Sequence, residues 1–232
     1  TPSGLLSERP FRAPHHSISR AALLGGGQPV RPGELSLAHE GCLFLDELLE
    51  FRRDVIESLR EPLEQGEVTI CRATGRATFP TRAMLVAALN PCPCGYAGQP
   101  ERCACSAARV RRYQSRLSGP LLDRIHLHVT LCPLKPSSFR SSTPGEGTRA
   151  VRQRVARARK RQHDRARQRQ VAARSNADLS NRELNLVAPL SSEGQTLLER
   201  AADHLGLSAR TYQTLRRVAR TIADLEESDD VA

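Results

Sequence analysis

The composition of this sequence excludes several classes of protein. It has 232 residues, of which 39% are hydrophobic and 26% charged, as is typical of soluble globular proteins. Its longest apolar stretches, such as residues 84–89, are far shorter than the ~20 residues of a membrane-spanning helix. The sequence starts with neither Met nor a signal peptide. We therefore expect a non-membrane, cytoplasmic protein, and we interpret the sequence as a fragment.

The positive charge is concentrated in one segment. The net charge is +10, and residues 149–174 carry eleven Arg or Lys against one acid, so the rest of the chain is neutral. All but two of the basic residues are Arg, which suits bidentate contacts with phosphate. Aromatic residues make up only 3%, which argues against recognition of nucleic acid by base stacking.

Three segments differ in their patterns. Residues 1–132 alternate short apolar runs with Gly/Pro turns and helical stretches, which predicts an α/β domain. Residues 133–148 are rich in Ser, Pro and Gly, and indicate a linker. Residues 149–232 show only helical patterns, so we predict an all-helical C-terminal domain.

Two adjacent carboxylates follow the first predicted buried strand. Residues 41–47 read GCLFLDE, so that Asp46 and Glu47 stand at the carboxyl end of a four-residue apolar run. Ligands bind at such ends of parallel strands. In a phosphate-cleaving site Asp46 would hold Mg²⁺ and Glu47 would polarise the attacking water. The alternative is a buried element followed by ordinary surface acids.

Two more polar residues belong to the same hypothesis. The apolar run 84–89 ends at Asn90, which beside the first strand could hold a water near a γ-phosphate; the alternative is an Asn that opens a turn before Pro91. Arg124 either forms a structural ion pair with Asp123 or projects at the nucleotide of a neighbouring subunit as an arginine finger.

Several blocks of sequence occur together in a characteristic order. They are RPFRAPHHSIS at 9–19, GGG at 25–27, PGELSLAHEG at 32–41, LFLDE at 43–47, NPCPCG at 90–95 and LSGPLLDR at 117–124. Together they resemble the Mg-chelatase-like AAA+ ATPases of the YifB/ComM competence-protein type. The resemblance implies an α/β AAA+ P-loop-type core, truncated at its N-terminus, followed by an all-helical lid.

The same resemblance implies roles for individual residues. Asp46 and Glu47 correspond to the Walker B pair, Asn90 to sensor 1, Arg124 to the arginine finger and Arg210 to sensor 2, with Arg217 as the second choice. The implied cofactors are ATP and Mg²⁺. The implied assembly is a homo-oligomeric ring, which we expect to be a hexamer, and the implied work is DNA branch migration in natural transformation.

One departure from the family pattern concerns phosphate binding. The 232 residues contain no G-x-x-x-x-G-K-[ST] motif, because Gly25–Gly27 is followed by Gln28 and neither Lys lies near such a turn. In relatives this P-loop and a Lon-like domain lie upstream. The sequence thus resembles the C-terminal portion of a longer protein, and these residues alone are expected to bind ATP poorly and to be inactive.

Four of the seven cysteines form a compact cluster. Cys92, Cys94, Cys103 and Cys105 follow a C-x-C-x8-C-x-C pattern, and four thiolates can complete a tetrahedral Zn²⁺ site. The alternative is a set of reduced or redox-labile cysteines. Because the cluster directly follows Asn90, we expect it to brace the segment between sensor 1 and the arginine finger rather than to catalyse.

Two basic elements are candidates for contact with DNA. Residues 64–79 predict a hairpin with Arg72 and Arg76 near its tip, and the resemblance places such a hairpin in the pore of a ring; the alternative is two solvated arginines. The Arg-rich stretch 149–174 predicts a helix that binds phosphates without sequence specificity, or else a solvated connecting helix.

His15 and His16 lie where the resemblance implies a structural or DNA-facing insertion. No nucleophile motif accompanies them, so we predict no catalytic role for either residue.

Two rival functions remain open. The chain could belong to a magnesium-chelatase-type motor subunit, or it could be a non-enzymatic DNA-binding fragment.

Overall fold

The structure is a computed structural model that describes residues 8–72, 75–99, 101–132, 145–168 and 170–231. It divides into two compact units, Thr1–Ile125 (unit 1) and His126–Ala232 (unit 2). Of the predicted linker 133–148, residues 133–144 lie outside the described residues. Among the described helices, none combines the length and the apolar character needed to cross a membrane.

Unit 1 is a mixed α/β structure. Its elements are β1 Phe11–Arg12, α1 Arg20–Leu24, β2 Gly25–Gly26, β3 Arg31–Pro32, α2 Glu34–Leu37, β4 Cys42–Leu45, a 3₁₀ turn Leu48–Glu50, α3 Arg53–Glu57, α4 Arg60–Gln65, β5 Glu67–Arg72, β6 Gly75–Pro80, β7 Met84–Ala87, α5 Ala107–Gln114 and α6 Gly119–Leu122. Strands β1, β4 and β7 form a parallel sheet with β4 in the centre. The predicted α/β class with a parallel sheet is therefore confirmed.

The core of unit 1 lies on one face of this sheet. Leu43 and Leu45 of β4 are completely buried, because alternate residues of a strand point to the same face. They belong to a cluster with Leu23, Leu35 and Phe51 from the surrounding helices and turns. These apolar contacts hold β4 rigidly, and so they fix the backbone that leads into Asp46.

Two antiparallel strand pairs complete unit 1. Strands β2 and β3 pair with each other, and β5 pairs with β6 over six residues, from Glu67 opposite Pro80 to Arg72 opposite Gly75. The predicted hairpin is thus confirmed, although residues 73–74 lie outside the described residues. Gly66, with φ 72°, ends α4 in the left-handed conformation that glycine tolerates best and turns the chain into β5.

The described part of unit 2 is helical apart from one β-bridge. It contains α7 Thr148–Arg167, a 3₁₀ turn Asn176–Asp178, α8 Asn181–Val187, α9 Ser192–Leu205 and α10 Ala209–Leu225. The Arg-rich helix was predicted to reach residue 174 but ends at Arg167. The reason is tertiary packing: Val171 turns into an apolar cluster with Leu179 and Leu184, which overrides the helical propensity of the segment.

Serine side chains begin many of these helices. A serine at the N-cap accepts a hydrogen bond from a backbone N–H that the helix leaves unpaired, and this stabilises the helix by about 1 kcal/mol. The capping serines are Ser19, Ser106, Ser118, Ser180, Ser191 and Ser208. At these helices the residue at the N-cap therefore helps to determine where the helix begins.

A buried charge cluster joins α7 to α10. Asp224 is fully buried and accepts hydrogen bonds from Arg165 and Asn176, while Arg220 lies 3.1 Å from it. Burial opposes the charged form of Asp224, but these hydrogen bonds keep its pKa below the ordinary value. Removal of one partner would leave a buried charge uncompensated, so this cluster fixes the packing of the two helices.

Candidate functional site

Asp46 and Glu47 form an exposed turn between two buried segments. The Glu47 N–H donates a hydrogen bond of 2.9 Å to Asp46 Oδ1, and Glu47 has the positive φ of 50° that is uncommon for residues other than glycine. Leu45 before the turn, and Leu48 and Leu49 after it, are almost completely buried. The apolar residues therefore fix the backbone while both carboxylates stay accessible to a ligand.

Asn90 reaches the same edge of the sheet from the neighbouring strand. β4 and β7 pair in parallel with Leu45 opposite Ala87, as the sequence predicted, and Ala88 accepts a hydrogen bond from the Leu48 N–H. Asn90 follows two residues later and is exposed. Its side-chain oxygen points towards Gly95, where a Cβ atom would lie 3.9 Å from it. The strand pairing thus brings residue 90 to the edge where the acids lie, with its side-chain oxygen turned towards the loop at Gly95.

His16 is a residue of this site that the sequence analysis missed. Its Nδ1 lies 3.4 Å from Glu47 Oε2. The imidazole also faces the ring of His15 at 4.0 Å and the edge of the buried Phe51 at 6.3 Å between ring centroids. The available signal was the sequence block 9–19, which contains β1, the strand that pairs with β4.

Helix α5 is tied to the turn that follows Glu47. Tyr113 is buried and donates a 3.0 Å hydrogen bond to Glu50 Oε1, and Arg116 donates to the carbonyl oxygen of Phe51. Burial and the contact with Glu50 raise the pKa of Tyr113 to about 12, so the phenol remains a donor at neutral pH. These bonds stabilise the turn from the side of α5.

The four clustered cysteines lie within reach of a single metal ion. Their sulfur atoms are all within 4.8 Å of one another, and Cys92 is fully buried. Cys92 Sγ lies 3.3 Å from Cys94 Sγ and 3.9 Å from Cys103 Sγ. In a tetrahedral Zn²⁺ site with Zn–S bonds of about 2.3 Å, sulfur atoms lie roughly 3.8 Å apart. The donor set therefore fits zinc in both type and spacing.

The thiols of this cluster differ in acidity. A hydrogen bond from the Tyr96 backbone and one from Cys92 lower the pKa of Cys94 to about 6, whereas burial raises the pKa of Cys105 to about 11. Gly95 and Gly98 have positive φ values of 80° and 86°, which the tight loop between the two cysteine pairs requires. The loop is thus shaped to bring four sulfur atoms together.

Arg124 forms an ion pair within unit 1. Its guanidinium contacts the Glu64 carboxylate of α4 and the carbonyl oxygen of Pro120, and only 8% of its side chain is exposed. The sequence left open an ion pair with Asp123 or a role at a neighbour's nucleotide. The structure shows an ion pair with Glu64, so Arg124 would have to exchange this partner to reach another subunit.

The two candidates for sensor 2 differ in their surroundings. Arg217 donates from Nε and Nη2 to the carbonyl oxygen of Leu179, at 2.9 and 2.7 Å, and burial followed by the proximity of Arg210 lowers its pKa. Arg210 lies exposed in the first turn of α10. Arg217 thus has a structural partner inside unit 2, and Arg210 is the more exposed of the two side chains.

Basic side chains line a groove beside the hairpin. Arg72 and Arg76 lie opposite Gly75 and Cys71 near the end of the hairpin and are exposed. Together with Arg20 of α1 they line a groove between α1, α4 and the two strands. Two guanidinium groups from the hairpin and one from α1 therefore line this groove, together with the carboxylates of Glu61 and Glu67.

Much of the positive charge of α7 is neutralised inside unit 2. Arg154 pairs with Glu146, Arg157 with Glu227, and both Arg161 and Arg165 with Asp224. The exposed basic residues of this helix are Arg149, Arg152, Arg157, Lys160 and Arg167. Fewer basic residues of this helix are therefore open to contact with phosphates than the sequence suggested.

Comparison with protein families accounts for both parts of the chain. Residues 1–139 match the family model described as "Magnesium chelatase, subunit ChlI", and residues 145–232 match "Magnesium chelatase, subunit ChlI C-terminal". The chain belongs to the magnesium chelatase ChlI family. The motifs that predicted this resemblance include the Asp46–Glu47 turn and the cysteine cluster.

Relatives of this ChlI family member include proteins of the YifB/ComM type. The chain is 47% identical over 225 residues to YifB of Escherichia coli, and 45% identical over 227 residues to competence protein ComM of Haemophilus influenzae. These matches cover 96% and 97% of this chain but 43% of each relative. The sequence therefore corresponds to less than half of the length of these relatives.

Proposed function

We propose that this chain contributes the hydrolytic half of an AAA+ ATPase that moves DNA. The observation that carries the proposal is the pair of carboxylates at the carboxyl end of the central parallel strand, with Asn90 at the end of the adjacent strand. Membership of the ChlI family and the similarity to a competence protein support it. The matched relatives are longer than this sequence. The proposal therefore concerns a full-length protein of which this sequence is a part.

The residues of the turn suit a site for Mg²⁺ and ATP. Mg²⁺ prefers oxygen ligands, and Asp46 and Glu47 offer accessible carboxylates. Asp46 would hold the ion, whose charge would compensate that of the phosphates. Glu47 would accept the proton of the attacking water, and Asn90 would hold that water in position.

We propose further that the active form is a homo-oligomeric ring, expected to be a hexamer. Arg124 stabilises charge at the nucleotide of a neighbouring subunit, because an arginine finger acts in trans. Arg210 senses the nucleotide through its phosphates. The exposed position of Arg210 in α10 supports this assignment over Arg217.

DNA is the substrate that the charged surface of unit 1 favours. Arg20, Arg72 and Arg76 line one groove, and guanidinium groups bind phosphate without reading sequence. The family resemblance of the sequence implies that the work done on DNA would be branch migration, and the similarity to a competence protein agrees with a role in competence. The hairpin would move with hydrolysis and carry the strand along.

Replacing both Arg72 and Arg76 with Ala should weaken DNA binding and flatten its salt dependence. The slope of log K against log salt should fall by about 0.9 for every phosphate that the variant no longer neutralises. The measurement is fluorescence anisotropy of a labelled duplex at several salt concentrations. Arg109→Ala/Arg112→Ala, which removes two exposed arginines of α5, is the matched control and should behave as the unmodified protein. Equal affinity and slope in both double variants would rule out the hairpin as the DNA-binding element.

A magnesium-chelatase-type motor is the second candidate, because the matching family model carries that description. Such a motor would hydrolyse ATP without a response to DNA and would respond to a porphyrin-inserting partner instead. A third candidate, a non-enzymatic DNA-binding fragment, would bind DNA without any turnover. ATP turnover measured with and without DNA distinguishes all three.

We also propose that Cys92, Cys94, Cys103 and Cys105 bind one structural Zn²⁺. The site is closed by four thiolates, so it leaves no position for substrate and stabilises the loop that follows Asn90. Metal analysis of protein purified under reducing conditions should give about one zinc per chain, and Cys92→Ser/Cys94→Ser should lose it. Cys71→Ser/Cys132→Ser, at two exposed cysteines outside the cluster, should retain it. A reduced preparation without bound metal would refute the site.

A further inference from the structure

We propose that His16 is a positioning residue for Glu47, and that its imidazole holds the carboxylate in the orientation from which it accepts a proton from water. This inference rests on the proposed ATPase function. It gives a role to a residue for which the sequence predicted no part in catalysis. The contact that carries it is the 3.4 Å distance between His16 Nδ1 and Glu47 Oε2.

Glu47 needs such a restraint because only its backbone is held by packing. The buried Leu48 and Leu49 fix the turn, but 53% of the Glu47 side chain is exposed. A Glu side chain that nothing restrains samples several rotamers, and a base that does so is seldom aligned with its water. In the described part of the chain, His16 is the basic side chain within ion-pair distance of the Glu47 carboxylate, and it is charged only when protonated.

His16 is itself held rigidly enough to act as an anchor. The buried ring of Phe51 meets it edge-on at 6.3 Å, and the ring of His15 lies at 4.0 Å. His15 in turn is fixed by Ser17, whose hydroxyl lies 2.9 Å from His15 Nδ1. Ser19 then caps α1, so the chain is ordered on both sides of the imidazole.

The contact with His16 leaves the Glu47 carboxylate able to accept a proton from water. His16 Nδ1 lies beside one carboxylate oxygen, Oε2, and attracts it when the imidazole is protonated. The other oxygen, Oε1, then remains available for the attacking water. An anchor of this kind affects the alignment of the base rather than the binding of the nucleotide.

The test compares His16→Ala and His16→Gln in the full-length protein. Since a misplacement of about 1 Å can cost ~10²-fold in rate, His16→Ala should lower kcat by roughly 10- to 100-fold and leave the KM for ATP unchanged. His16→Gln keeps a hydrogen-bond donor and should recover part of the loss. His204→Ala, at an exposed histidine in the last turn of α9, is the control and should retain full kcat.

The kcat, the KM and the melting temperature of His16→Ala decide whether the proposal stands. An unchanged kcat in His16→Ala overturns it, and so does a lower kcat that is matched by a lower melting temperature, because that result indicates a merely structural histidine. A raised KM with unchanged kcat also overturns it, because His16 would then contact the nucleotide. Absence of turnover in the unmodified protein would instead reject the proposed function, and with it any role of His16 in hydrolysis.

Discussion

Glu47→Gln should abolish ATP turnover while ATP binding persists. The substitution keeps the shape of the side chain but removes its ability to accept a proton, and general-base catalysis contributes roughly 10²–10⁴-fold to a rate. Binding should persist because Asp46 and its backbone hydrogen bond are left in place. The measurement pairs steady-state phosphate release with equilibrium binding of a fluorescent ATP analogue by the full-length protein.

A suitable control for this variant is Glu199→Gln. Glu199 lies exposed on α9 of unit 2 and accepts a hydrogen bond from Gln195 of the same helix. It should retain normal turnover. Undiminished turnover in Glu47→Gln would show that this carboxylate is a surface acid, the alternative that the sequence left open.

Arg124→Ala should reduce turnover by about 10³-fold or more, because an arginine finger contributes 10³–10⁵ to the rate of phosphoryl transfer. The ion pair with Glu64 makes this variant ambiguous when it is studied alone, since loss of a structural pair can also inactivate a protein. Glu64→Gln breaks the same pair but leaves the guanidinium in place, so it is the matched comparison.

The two variants separate the alternatives for Arg124. If Arg124 acts on a neighbouring subunit, Arg124→Ala should lose turnover while Glu64→Gln retains it. A comparable loss of turnover and of melting temperature in both variants would assign Arg124 to a structural ion pair. Turnover and thermal unfolding should be measured on the same preparations, together with ring assembly by light scattering.

The sequence predicted those parts of the site that depend on local pattern. The apolar run before Asp46 and the run before Asn90 were recognisable as strands, and their parallel pairing followed from strand topology. The hairpin was equally visible, because alternating β-formers flank a short turn. The spacing of the four cysteines indicated a cluster, and their sulfur atoms do lie together.

Contacts between distant parts of the chain could not be predicted in this way. The pairs Arg124–Glu64 and Tyr113–Glu50 join residues about sixty positions apart, and nothing in the sequence next to them identifies the partner. The contact of His16 with Glu47 depends on the position of β1 beside β4. These partners are chosen by tertiary packing, on which local sequence patterns carry no information.

The pairing of two α7 arginines within unit 2 was missed for a related reason. Arg161 and Arg165 belong to a run of like charges that the sequence analysis treated as a solvated or DNA-binding surface. Their acceptor is Asp224, about sixty residues later on α10. Composition alone does not distinguish an arginine whose guanidinium is available to bind phosphate from one that already pairs with a buried carboxylate.

The most direct test of the proposed function is ATP turnover by the purified full-length protein, measured with and without duplex DNA. We expect hydrolysis that DNA stimulates, and we expect Arg72→Ala/Arg76→Ala to reduce the stimulation while leaving the basal rate unchanged. Absence of hydrolysis would contradict the assignment of an ATPase. Hydrolysis at the same rate with and without DNA would contradict a DNA motor and would favour the chelatase-type alternative.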